Sequence, residues 1–101
     1  MKYYSTNHQS PQVDLMTAVT KGLAPDRGLY MPERIGKLSK AFFDNISNLT
    51  FQEISFEVAK CFFGEDIPEE KLREIVFDTL NFDTPIVAVE KDIYSLELFH
   101  G

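Results

Sequence analysis

The sequence predicts an α+β domain in which several helices pack on a small, mostly antiparallel sheet, and three stretches carry that reading. Residues 22–32, Gly-Leu-Ala-Pro-Asp-Arg-Gly-Leu-Tyr-Met-Pro, have the grammar of a helix stop, a tight loop and a short strand. Thr50-Phe51-Gln52-Glu53 is a capping box that opens a long apolar repeat at helical spacing. Residues 86–89, an apolar run, and 93–99, an alternating one, flank Glu90-Lys91-Asp92, which reads as a hairpin turn.

Two tyrosines and Thr6 make residues 2–6 a short strand, and the polar stretch 7–11 ends it. Asp14 can cap a helix over 15–21, with Leu15, Ala18, Val19 and Leu23 as its apolar stripe. Gly22 falls where a helix C-terminus favours positive φ. Pro25-Asp26-Arg27-Gly28 reads as a turn with Pro at its second position and Gly at or near its end. Leu29-Tyr30-Met31 suits a strand closed by Pro32, and is expected to pair with residues 2–6.

Ser39 caps a short helix over 40–46 that presents Phe42, Phe43 and Ile46. The helix after Thr50 offers Phe51, Ile54, Val58, Cys61 and Phe62 on one side and stops at Gly64. Residues 66–70 open a further helix whose acidic first turn complements the helix dipole. Its inner face is Leu72, Ile75, Val76 and Leu80, with Glu70, Lys71, Arg73 and Glu74 on the solvated side. Asp83-Thr84-Pro85 ends it, and residues 86–89 are expected to pair with 93–99. Phe42-Phe43 and Phe62-Phe63 each turn one ring inward, so the second ring of each pair needs another surface.

A chain of 101 residues makes one domain, residues 1–101, with a modest core. An apolar content of 44% with nine Phe excludes disorder. Sixteen acidic residues against ten basic give a net charge of −6, which argues against nucleic acid and anionic membranes as partners. The N-terminus lacks the apolar centre of a signal peptide, and no apolar run approaches a membrane span, so the expected location is cytoplasmic. Cys61, the single cysteine, permits no internal disulfide and reads as a buried core thiol rather than a nucleophile. The chain stops on an apolar strand pattern at Gly101 without a polar tail, which suggests a piece of a longer protein.

Few residues invite chemistry. His8 and His100 lack partners at metal-ligand spacing, and no metal site is expected. His8 reads as an exposed loop residue. His100 follows a strand and precedes Gly101, a position that lines sites in some folds and is structural in others. The acidic pairs Glu65-Asp66 and Glu69-Glu70 flank a helix start, where capping and solvation explain them. Gly22 and Gly28 are six apart with no helix following, so no phosphate-binding loop is present.

Lys2-Tyr3-Tyr4-Ser5-Thr6, Val19-Thr20-Lys21-Gly22-Leu23, Gly28-Leu29-Tyr30-Met31-Pro32 and, most specifically, Leu96-Glu97-Leu98-Phe99-His100-Gly101 resemble the N-terminal region of threonine synthases of the long-chain bacterial and fungal kind. The spacing of these blocks fits along essentially the whole chain. Arg27 departs from the family pattern, where a glycine or polar residue is commoner. The resemblance implies the N-terminal domain of a fold type II pyridoxal-phosphate enzyme, a lyase that converts O-phospho-L-homoserine and water to L-threonine and phosphate. It also implies that the cofactor lysine lies just beyond an ending like this one. The catalytic residues and the pyridoxal 5'-phosphate site would then belong to a catalytic domain in cis. The chain alone would be inactive and bind no cofactor, with Phe99, His100 and Gly101 adjacent to the active site. Two other readings stand beside it: a threonine-synthase-like phospho-lyase domain, and a non-catalytic acidic interaction domain.

Overall fold

In the computed structural model, residues 1–99 are described, and they form four α-helices and two separate two-stranded sheets. Strand β1 (Tyr3–Ser5) pairs antiparallel with β2 (Tyr30–Pro32), setting Tyr3 opposite Pro32 and Ser5 opposite Tyr30. Helix α1 (Leu15–Lys21) lies between them in sequence. The Asp14 side chain accepts from the Thr17 amide, and Gly22 closes the helix at φ 71° with its N–H on the Ala18 carbonyl. The expected pairing of the first strand with the strand after the loop therefore holds. It falls one residue later than expected, with Pro32 inside the strand and Leu29 in an isolated bridge to Leu23.

Helix α2 (Lys40–Asn45) starts where Ser39 Oγ accepts from the Phe42 amide, and it passes into a 3-10 turn over Ile46–Asn48. Helix α3 (Phe51–Phe63) carries both halves of the Thr50–Glu53 capping box. Helix α4 (Glu69–Thr79) returns against it, and the core is Phe56, Leu72 and Val76, with Ala59, Phe63 and Leu80 packed around them. Tyr3 ties the first sheet to this pair by donating its hydroxyl to the Phe62 carbonyl at 2.9 Å, one of the acceptors that a helix end leaves without an intrahelical partner. The Met1 ammonium adds an ion pair to Glu65 at 2.9 Å.

The helix faces differ from expectation in three places. On α3 the deepest side chain is Phe56, whereas Phe51 and Val58 are exposed. The apolar residues of this helix span a wide arc beside the polar side of Glu53, Glu57 and Lys60, so spacing offered two stripes, and α4 selected the one running Phe56, Ala59, Phe63. On α4, Leu72 and Val76 are buried but Ile75 is exposed, while Arg73 stays in the solvated row as expected, with its guanidinium 4.2 Å from the Phe77 ring centroid. On α1 only Ala18 is buried, and Val19 and Leu23 face outward. Cys61 is partly buried, packed under Gly36 of the connector, where an added Cβ would come within 3.2 Å of its own Cβ.

The second sheet is a hairpin of β3 (Ile86–Glu90) and β4 (Ile93–Leu96). Lys91 and Asp92 make its turn, with Asp92 at φ 62°, a left-handed position that a short polar side chain tolerates. The last strand ends at Leu96 rather than at residue 99. One further bond, from the Glu97 amide to the Pro85 carbonyl, prolongs the pairing. Every residue of both strands is exposed.

Candidate functional site

The Asp26 carboxylate anchors the loop that precedes β2 against β1. Asp26 Oδ1 accepts from Ser5 Oγ at 2.6 Å and from the Gly28 amide at 3.0 Å, while Oδ2 accepts from the Gln9 amide at 2.9 Å. The Asp26 backbone is held as well: its amide donates to Ser10 Oγ, and its carbonyl accepts from Asn7 Nδ2. Thr6 completes the seam, its amide donating to the Leu29 carbonyl and its hydroxyl accepting from the Leu29 amide.

The electrostatics follow from this donor set. Ser5 first, then the Gly28 and Gln9 amides, stabilise the ionised carboxyl and hold Asp26 at about 2, from the 3.8 usual for an aspartate. Such a group is a poor base. Its oxygens are already hydrogen-bonded, so its work is to fix the loop. Ser5 is fully buried, and a Cβ on Gly28 would stand 2.1 Å from Ser5 Oγ and 2.9 Å from the Asn7 amide, so only glycine fits. Arg27, between them, takes φ 66°.

The sequence singled out the loop but not the Ser5–Asp26 contact that secures it. The local signal was Asp26 two residues before Gly28, a spacing at which Asp side chains bond the backbone ahead. The long-range partner, on another strand, has no local signature.

Of the residues expected next to an active site, Phe99 is 84% exposed, and His100 and Gly101 lie outside the described residues. His8 is exposed, stacked on Tyr4 with ring centroids 5.1 Å apart. Among the described residues no group of three His, Cys, Asp or Glu could hold a metal ion, and no helix is long and apolar enough to cross a membrane.

Pyridoxal phosphate needs a lysine facing a cavity and a cradle of amides for its phosphate, and the described residues do not fit it. Lys60 pairs with Glu57 at 2.8 Å, and the other lysines are exposed. The N-terminus of α3 is closed by Thr50, and that of α4 carries Glu69 and Glu70 in its first turn, which repel an anion. What the described residues do offer is apolar surface, including an open groove of about 570 Å³ lined by Phe51, Ile54, Val58, Phe62 and Leu80.

The described residues form a small α+β domain with a clamped loop and large uncovered apolar faces, the surface of a unit that packs against further protein. The family described as "Threonine synthase N terminus" matches residues 2–80, and the chain belongs to it. Threonine synthase of Escherichia coli K12 is 37% identical over 101 residues, covering all of this chain and 24% of that protein. The crystal structure of the Escherichia coli threonine synthase superposes with a TM-score of 0.84 at 37% identity, over the whole chain and 24% of that structure. A pyridoxal-phosphate-bound threonine synthase from Brucella melitensis gives a TM-score of 0.82 at 30% identity, over the whole chain and 23% of that structure. The chain thus spans about a quarter of the length of the relatives it matches.

Proposed function

We propose that residues 1–101 are the N-terminal domain of a pyridoxal-phosphate-dependent threonine synthase, a lyase that converts O-phospho-L-homoserine and water to L-threonine and phosphate. The observation that carries this reading is the agreement of the whole chain, in sequence and in fold, with the corresponding quarter of threonine synthases.

Pyridoxal phosphate, when bound, acts as an electron sink for the carbanion that forms beside the amino group. That chemistry belongs to the catalytic domain in cis. This chain's residues contribute position. Ser5, Asp26 and Gly28 fix the loop before β2 on β1, and Phe99, His100 and Gly101, which follow the hairpin in sequence, are proposed to adjoin the active site.

The test is cofactor residence. The 101-residue chain and a polypeptide of the relatives' length that carries it are each incubated with pyridoxal phosphate, reduced with borohydride and mapped by mass spectrometry. The reading expects stoichiometric labelling of one lysine outside residues 1–101 and none within them. Stoichiometric labelling of a single lysine inside residues 1–101 overturns it.

A further inference from the structure

The hairpin makes the strongest demand for a partner. Its register puts Ile86 opposite Leu96 and Ala88 opposite Tyr94, so these four side chains share one face. That face is apolar, yet Ile86 is 71% exposed, Tyr94 65% and Leu96 56%. β3 and β4 pack chiefly against each other. An isolated two-stranded hairpin is marginal in water, so this one needs cover.

The size of the uncovered surface limits what covers it. The chain exposes 7680 Å², roughly 1,900 Å² more than the about 5,800 Å² expected of a compact monomer of its mass. Its radius of gyration is 16.6 Å, against about 13 Å for a compact domain of this length. An excess of that size equals one side of a permanent interface of about 2,000–5,000 Å², and exceeds what a transient contact needs. In the relatives about three quarters of the polypeptide lies outside the matched region, so a permanent partner is available in the same chain.

We infer that the Ile86–Ala88–Tyr94–Leu96 face of the hairpin is the seat of the catalytic part of the same polypeptide. The inference rests on the proposed function and names the surface that joins the two parts. A second copy of this chain is the competing occupant.

The test compares maleimide labelling of Leu96→Cys, with Cys61→Ala to remove the native thiol, in the 101-residue chain and in the polypeptide of the relatives' length. Lys37→Cys, on the exposed connector and in the same Cys61→Ala background, is the reference. Labelling of the Leu96→Cys variant is expected to slow at least about tenfold in the longer polypeptide relative to the Lys37→Cys variant. In the short chain it is expected to stay fast and independent of concentration. Equal relative labelling in both overturns the proposal. So does protection in the short chain that rises with concentration alongside a dimer in sedimentation, and so does a gene that specifies no polypeptide beyond this chain. Hydrogen exchange of residues 86–96 in the unsubstituted proteins gives the same comparison if a variant misfolds. Turnover of O-phospho-L-homoserine is measured separately. Protection without turnover keeps the interface and removes the threonine synthase reading; turnover without protection does the reverse.

Discussion

The Ser5 hydroxyl donates to Asp26 Oδ1 at 2.6 Å, joining the first strand to the loop 21 residues downstream. With the Gly28 and Gln9 amides on the same carboxylate, that contact turns a Gly/Pro-rich connector into a fixed part of the fold.

Acid should undo it. The folded carboxyl sits at about 2 and the unfolded one near 3.8, so the contribution is complete above 3.8 and is lost as pH falls from there toward 2. Asp26→Asn is expected to be less stable than the parent at pH 7, with the difference in urea midpoint shrinking between about pH 4 and pH 2. A difference that stays constant over that window would show that the carboxylate charge is not what holds the loop.

Gly28→Ala should cost about 1–3 kcal/mol, because the new methyl meets Ser5 Oγ and the Asn7 amide. In a Ser5→Ala background the same change should cost less, since the nearest clashing atom is gone. A double-mutant cycle by urea denaturation reads this coupling, and additive penalties would mean that the loop relaxes away from β1.

Much of the architecture is legible in the sequence. Asp14, Ser39 and the Thr50–Glu53 pair each cap the helix they announce, because caps are set by residues a few positions apart. Gly22 takes the predicted positive φ, and both strand pairings follow the expected partners. The α3 face is less legible. Phe51, Ile54, Val58 and Phe62 form as good a stripe as Phe56, Ala59 and Phe63, and only the position of α4 decides between them. The Ser5–Asp26 clamp is hidden for the same reason: its partners are far apart in sequence. The exposed hairpin misleads on the strand boundary. An alternating pattern continues to Phe99, but the last pairing bond described is made by Glu97.

The α4 face gives a sharp contrast. Leu72→Ala should cost about 2–5 kcal/mol, since Leu72 is 2% exposed in the α3–α4 core. Ile75→Ala, one turn on and exposed, should stay within about 0.5 kcal/mol in the isolated chain. Equal costs in urea denaturation would restore the face that spacing alone suggested.

Thr50→Ala removes the side chain that accepts from the Glu53 amide and should cost about 0.5–2 kcal/mol. Far-ultraviolet circular dichroism should place the loss in the helical signal. An unchanged melting temperature would mean that packing of α3 on α4, not the cap, fixes where the helix starts.

Turnover separates a threonine synthase domain from every other reading of this chain. A polypeptide of the relatives' length carrying this chain is supplied with pyridoxal phosphate and O-phospho-L-homoserine, and threonine and inorganic phosphate are measured together. The two are expected in equal amounts, and neither is expected from the 101-residue chain alone. Threonine formation by the 101-residue chain, or none by the longer polypeptide, would contradict the threonine synthase reading.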